Sequence, residues 1–356
     1  MKKKKVLLTG GSGAVGFETF KELLRRKDRY DIRIFNLDQK RERKIFAPYT
    51  GQAEMIWGDL RDTSLVEKAV RDVDYILHIA ALIPPTADRQ PNLAWDINVG
   101  GTTNILKGMK NQPTTPKLIY TSSISVYGDR INNPEIRAGD PLRPSDGDEY
   151  ARTKIEAEKR IRDSGVTWTI FRLCGILYPN LSVQPLMFHM PLDTSLEFCH
   201  NSDAGFALVE AIESNALWGK TFNLGGGEQC RTNARAFIKT MMPFYGVNPE
   251  TIPEYAFATR NFHSGFYKDS DMLEKFLHFQ KHTLEDHLNI VKEKVSPFQR
   301  FMIHMIPRFL IRAWMLRMSE PYKAIQENNK NLIARFYGSR KIFENLFLRE
   351  EGSTYA

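Results

Sequence analysis

Cysteine is scarce: there are three in 356 residues, Cys174, Cys199 and Cys230, odd in number, far apart and free of any Cys-x-x-Cys or Cys/His clustering. That excludes a disulfide framework and a cysteine-based zinc site, and it fits a reducing cytosol. Long apolar runs are missing too. No stretch approaches the roughly 18 uninterrupted apolar residues of a spanning helix. The Lys2 to Lys5 run is followed only by Val6-Leu7-Leu8, far too short for the apolar core of a secretory signal. The expected location is therefore the cytoplasm. Internal repeats and low-complexity tracts are absent, and from residue 294 to 318 there is no acidic side chain.

What is present is ordinary globular material, 42% apolar and 26% charged, in a chain long enough for one large α/β domain with a smaller appended lobe. The net charge of +8 suits anionic ligands of several kinds without choosing among them. From residue 5 to 175, short apolar runs alternate with helical patterns, the mark of repeated βαβ units and a parallel sheet. Strands are expected at Lys5–Thr9, Asp31–Leu37, Glu54–Trp57, Tyr75–Ile79, Lys117–Thr121 and Thr167–Leu173, six in a doubly wound sheet. Helices are expected over 15–27, 64–70, 98–110 and 150–162. The segment 132–148, rich in Pro, Gly, Asn and Asp, reads as a surface loop. A smaller substrate lobe should follow over 176–260, with a helix near 203–213, a strand at 221–224 and a helix near 233–245. Parts of 200–225 return to the first domain, 1–175. Residues 261–356 read as a basic helical extension without strand alternation.

The first turn, Thr9-Gly10-Gly11-Ser12-Gly13-Ala14-Val15-Gly16, lies between a strand and a helix and satisfies the dinucleotide fingerprint. A pyrophosphate must approach backbone N–H groups at the helix N-terminus, where any Cβ would obstruct it. Asp38 follows Gly16 by 22 residues, close to the ~20 expected of a carboxylate on the adenosine ribose hydroxyls. It would repel a 2′-phosphate, so NAD is favoured over NADP, although Lys40, Arg41 and Arg43 stand nearby. Further on, Ser122-Ser123 closes an apolar strand and Tyr150-Ala-Arg-Thr-Lys154 opens a helix. A free phenol titrates near ~10, too high for a base at neutral pH, but an ammonium one helical turn away and the positive charge of a bound nicotinamide would both stabilise the phenolate. The same spacing recurs at Tyr337 and Lys341 with no supporting context.

Taken with Gly58-Asp59-Leu60-Arg61-Asp62, Asp74-Tyr75-Ile76-Leu77-His78-Ile79-Ala80-Ala81, Asn98-Val99-Gly100-Gly101-Thr102 and Asn223-Leu224-Gly225-Gly226, these motifs resemble the extended short-chain dehydrogenase/reductases, also called the NAD-dependent epimerase/dehydratase family. The likeness covers roughly residues 5 to 245. It implies a Rossmann-like sheet and NAD bound by Gly10, Gly13, Ala14, Val15 and Gly16, with Asp38 on the ribose. Asp59 and Leu60 would lie at the adenine, Ala80, Ala81 and Leu173 would line the cofactor, and Asn98 would support the site. It further implies Ser123, Tyr150 and Lys154 as the catalytic set, with Tyr150 and Lys154 also touching the cofactor, no metal, and a homodimer through the Tyr150 helix. His78 reads as a satisfied strand-end histidine. His200 and Asp203 match a His-x-x-Asp segment in which Asp203 would cap a helix.

Departures from the family narrow the reaction. The 4,6-dehydratases carry Thr-Asp-Glu where this chain has Ser122-Ser123-Ile124, and nucleotide-sugar enzymes place an asparagine where this chain has Gly175. The stretch from Gly175 to His200 is also short for a nucleotide-sugar insertion. What surrounds the expected cleft is apolar, including Leu82, Ile83, Pro84, Pro85, Leu177, Leu186, Met187, Phe188 and Met190. The expected function is NAD-dependent oxidation or reduction of a secondary alcohol or ketone on a small or lipid-like substrate. The alternatives are a nucleotide-sugar epimerase that retains its NAD and, in another class, a catalytically silent dinucleotide-sensing regulator. Nucleic-acid binding has no recognised motif behind it. Within 294–318, Arg300, His304, Arg308 and Arg312 recur every four residues beside Phe301, Met305, Phe309 and Trp314, and Pro307 should break the helix in two. Such a stretch packs on the enzyme or a second subunit, or lies peripherally on anionic membrane.

Overall fold

Seven apolar runs form strands: β1 (Lys4–Thr9), β2 (Tyr30–Asn36), β3 (Glu54–Trp57), β4 (Tyr75–His78), β5 (Lys117–Ser123), β6 (Trp168–Leu173) and β7 (Thr221–Leu224). The computed structural model describes residues 2–179 and 183–348. Residues 180–182, within the expected lobe, and 349–356, the end of the expected extension, lie outside it. The strands pair in parallel in the order β7-β6-β5-β4-β1-β2-β3. A parallel sheet is stable only with both faces covered, and two apolar clusters, one containing Leu8, Ile34 and Phe171 and the other Leu7, Ile76 and Ile170, supply that cover. The covering helices include α1 (Ala14–Arg25), α2 (Thr63–Val70), α3 (Gly101–Lys110), α4 (Glu149–Arg162) and α5 (Asn201–Glu210). Carboxylates start two of them: Asp62 accepts from the Ser64 and Leu65 N–H groups, and Asp148 from that of Ala151. This is a Rossmann-like doubly wound fold. Its strand order reverses between β1 and β4, which pair Leu8 with Leu77 and Thr9 with His78, and such a reversal opens a crevice at the strands' C-terminal ends.

Three expectations need correction. The sheet has seven strands, not six, because Thr221–Leu224, within the stretch expected to return to the first domain, adds to the edge of β6 and pairs Phe222 with Phe171. Asp203 is not the cap of α5. His200 is, accepting from the Ser202 N–H, while the buried Asp203 carboxylate accepts from the Lys281 and His282 N–H groups and pairs with the His282 ring. Its location inside the first turn points it at a segment arriving from far along the chain. Finally, the 132–148 segment contributes Glu135–Ile136, which pairs with Phe266–Tyr267, so the extension does hold a short strand.

The lobe has its own three-stranded sheet of Gly175–Leu177, Ser195–His200 and Arg231–Asn233, and a core around Phe188, Leu196, Ile238 and Phe257. In the extension, α6 (Pro297–His304) and α7 (Arg308–Met318) are separated at Pro307 as the sequence predicts. Tyr337 ends one helix, Lys330–Tyr337, and Lys341 belongs to the next, Arg340–Phe347. The Tyr337 hydroxyl donates to the Tyr255 carbonyl, a packing role.

Candidate active site

A cavity of about 430 Å³ opens where the strand order reverses, lined by the turn after β1 and by the segments that follow β2, β3, β4, β5 and β6. The turn has the shape that an approaching phosphate requires. Gly10 has φ +72°, and a Cβ there would stand 2.7 Å from the Ala80 backbone. A Cβ on Gly16 would stand 2.1 Å from the Gly10 carbonyl oxygen, whereas Gly13 has no neighbour closer than 3.4 Å, leaving space that a side chain would fill. Helix α1 starts at Gly13 with no side-chain cap and no acid in its first turn. Its N–H groups and positive dipole end are therefore free to meet an anion. These observations fit a dinucleotide pyrophosphate.

Gly10, Gly13, Ala14, Val15, Gly16, Asp59, Leu60, Ala80, Ala81, Ser123, Tyr150, Lys154 and Leu173 all line this one cavity. Two expected residues do not. Asp38 lies two residues past the end of β2, exposed, with both carboxylate oxygens on Arg43 at 2.5 and 2.8 Å. The residue that lines the cavity at the end of β2 is Asn36, whose amide bonds the Ser12 hydroxyl at 3.0 Å. Asn36 stands 20 residues after Gly16, so the spacing alone could have found it. Asn98 sits behind the cavity wall in a π-helical stretch, Trp95–Gly100, a local widening frequent at functional sites. It accepts from the Leu82 N–H at 2.7 Å and donates to the Leu82 carbonyl and the Thr153 hydroxyl at 3.0 and 2.9 Å. It thereby braces the post-β4 segment against α4.

Helix α4 delivers the chemistry. Its entry is fixed by Asp148 and by Asp88, which accepts from the Glu149 and Tyr150 N–H groups at 3.1 and 3.3 Å. Ser123 ends β5 and lines the cavity beside the Tyr150 phenol, whose ionised form it favours. Lys154 is fully buried, donates to the Thr121 carbonyl at 2.7 Å, and stands 4.6 Å from the Tyr120 ring centroid and 5.7 Å from that of Tyr150. One turn further, Glu158 accepts a bidentate pair from Arg172 of β6 at 2.9 and 2.7 Å, and Arg172 also donates to the Tyr127 hydroxyl at 2.7 Å. No sequence motif marked this buried pair, although Glu158 recurs four residues after Lys154 on the same helical face.

Burial sets the electrostatics. It pushes the Tyr150 phenol well above its ordinary range, the Asp148 charge adds to that, and the hydrogen bond from Ser123 only partly offsets it. It also pulls the Lys154 ammonium down to about 7, against the opposing charge of Glu158. The protein's own groups therefore keep the phenol neutral, and lowering it takes a positive charge beyond that of Lys154, in line with the expectation that lysine and nicotinamide act together. His78 is neutral, held at about 3 by burial and next by the Lys154 charge, and its two nitrogens bond the Thr9 and Thr102 hydroxyls. Among the described residues, the group with metal-ligand spacing is His200, Asp203 and His282, and its carboxylate is already engaged by His282 and two amides.

A stability signature follows from Lys154. Its pKa is lower folded than unfolded, so between about 7 and the unfolded value of about 10.4 the unfolded chain holds the proton that the native one releases. Stability contributed here rises with pH through that window. Urea unfolding of Lys154→Met should show the variant more stable than wild type at pH 6.5, with the gap narrowing by pH 9. A gap independent of pH would refute the burial of a strained ammonium.

Comparison with known proteins agrees with this geometry. Residues 7–169 match the 3-beta hydroxysteroid dehydrogenase/isomerase family. A UDP-glucose 4-epimerase from Lactobacillus helveticus is 31% identical over 179 residues, 48% of this chain and 52% of that protein, so the match spans about half of the epimerase. The sanguinarine reductase of Eschscholzia californica is 25% identical over 278 residues, 68% of this chain and 98% of the reductase. In fold, the chain resembles a double mutant of the dTDP-glucose 4,6-dehydratase from Streptomyces venezuelae, whose structure has NAD bound. The TM-score is 0.69 at 20% identity, over 82% of this chain and 96% of that one.

Proposed function

We propose that this chain, which resembles the extended short-chain dehydrogenase/reductases, is an NAD-dependent oxidoreductase acting on a secondary alcohol or ketone of a small or lipid-like substrate. Bound in its oxidised form, the nicotinamide supplies a hydride acceptor and a positive charge beside the phenol. The α1 N-terminus would hold the pyrophosphate, Asn36 the adenosine ribose, Asp59 and Leu60 the adenine, and Lys154 the nicotinamide ribose. Tyr150 takes the proton from the substrate hydroxyl during oxidation and returns it during reduction, while Ser123 orients the same oxygen. The Thr121 carbonyl accepts from the Lys154 amine at 2.7 Å and fixes its position beside the Tyr150 ring through the proton transfer.

The observation that carries the substrate class is at Gly175. A Cβ added there would stand 2.9 Å from the Phe198 ring, so the asparagine of nucleotide-sugar enzymes could not be seated without displacing that ring. The remaining side chains of the cavity after β4 and β6 are apolar or aromatic: Leu82, Ile83, Ile176 and Tyr178. Of the other apolar residues expected around the cleft, Leu177, Phe188 and Met190 are buried in the core. The match to a steroid-alcohol dehydrogenase family over 7–169 supports the same reading.

The relationship to UDP-glucose 4-epimerases favours a second reading, in which the same tyrosine serves an epimerase that keeps its cofactor. The two are separated by following NADH absorbance on a panel of steroid and other lipid alcohols beside UDP-hexoses. Net NADH formation with an apolar alcohol is expected. Interconversion of UDP-hexoses with tightly retained NAD and no net NADH would replace the proposal with the epimerase.

A further inference from the structure

Helices α6 and α7 carry a surface that the enzyme itself does not cover. One row of α7, Ile311 and Met315, is buried in the core of the lobe, and Ile303 is the residue of α6 that packs against it. The rest of the apolar material points outward. Phe298, Phe301 and Met302 of α6 and Met305 at its C-cap, spaced as one helical stripe, are 70%, 59%, 50% and 65% exposed, and Phe309 and Trp314 of α7 are 69% and 49% exposed. No residue of α6 is buried. Folded chains seldom leave so many large apolar side chains contiguous unless something covers them. The amphipathic pattern is real, and the segment packs on its own enzyme only in part, through one face of α7 and Ile303 of α6.

The charge pattern selects the occupant. Lys294, Arg308 and Arg317 are exposed around the patch, and no acidic residue lies between 294 and 318. A second copy docked through the same surface would bring two sets of these cations into one contact with no acidic residue of the segment to offset them, because a two-fold contact places the patch on itself. An anionic lipid surface satisfies both halves of the pattern: acyl chains take the aromatic and methionine side chains, and phosphates and carboxylates of the headgroups take the cations. Helices of 8 and 11 residues measure about 12 and 17 Å, well short of the roughly 30 Å hydrocarbon core. No helix among the described residues is long and apolar enough to cross a membrane. The element lies on the bilayer and does not span it. We propose that α6 and α7 form an interfacial docking element for anionic membrane. This is independent of the substrate reading.

The test uses the full chain and sedimentation with vesicles of phosphatidylcholine, with and without phosphatidylserine. Wild type is expected in the pellet with the anionic vesicles and largely in the supernatant with the neutral ones, with added salt weakening the binding. Phe301→Glu combined with Phe309→Glu alters only exposed positions, so its thermal melt should match wild type while binding falls about tenfold or more. Arg308→Gln combined with Arg317→Gln should lose the preference for phosphatidylserine. Absence of wild type from both pellets, or a Phe-to-Glu variant that sediments like wild type, overturns the proposal. A vesicle-free dimer that the Phe-to-Glu variant converts to monomer, with no vesicle binding, overturns it in favour of a second copy.

Discussion

Tyr150→Phe should retain the fold and the cofactor and lose turnover by a factor of roughly 10² to 10⁴, the usual contribution of a positioned acid/base group. The substitution removes one hydroxyl from the cavity wall and keeps the ring against Lys154. NADH titration and the urea midpoint should therefore stay close to wild type. Because proton transfer belongs to the reaction and not to binding, the loss should appear in kcat and kcat/KM alike, with KM little changed. A variant within threefold of wild type would remove Tyr150 from the chemistry, and with it the catalytic reading of Ser123 and Lys154.

The largest effect on stability is expected from Arg172→Met. Arg172 and Glu158 are 3% and 0% exposed at their side chains and form a bidentate pair joining β6 to the helix that carries Tyr150. Removing the guanidinium leaves the Glu158 carboxylate in the core with only Arg162, at 2.7 Å from one oxygen, as its cation, a loss of up to about 3–5 kcal/mol. Burial works to raise the Glu158 carboxyl, but the hydrogen bonds and charge of Arg172 outweigh it and hold the group below the ordinary range. In wild type, that contribution is present above the ordinary carboxylate pKa of about 4.3 and is lost as pH falls through the lower folded value. In the variant burial is opposed chiefly by Arg162 alone, so the folded pKa rises relative to wild type and protonation relieves the penalty on acidification. The destabilisation measured by urea unfolding should thus be greatest near pH 7 and shrink toward pH 5, and replacing Glu158 with Leu in the same chain should recover most of it. A loss that is small at neutral pH, or that grows on acidification, would show that the pair does not bear on the fold as described.

The two substitutions also separate chemistry from scaffold. Tyr150 touches the cavity, whereas Arg172 and Glu158 act through it by fixing α4 against β5 and β6. Asn98 and Asp88 belong with them as positioning residues, one bracing the wall after β4 and the other the first turn of α4. Their side chains are not among those lining the cavity, so substitutions there should disturb the alignment of Tyr150 more than cofactor affinity.

Strand and helix alternation, the glycine turn and the pairing of Tyr150 with Lys154 were legible in the amino-acid order, because each depends on neighbours within about one turn or one strand, where periodicity and φ preferences act. The break at Pro307 was legible for the same reason. Long-range placement was not. Whether Asn36 or Asp38 meets the cavity turned on where β2 stops, a matter of two residues decided by its pairing with β1 and β3. That Thr221–Leu224 joins the main sheet, and that Asp203 reaches His282, depended on segments 50 or more residues apart being packed together. The low pKa of Lys154 and the outward face of α6 are likewise properties of burial. Burial is fixed by which elements the fold brings together, and a local pattern can show that a face is apolar without showing what, if anything, will cover it.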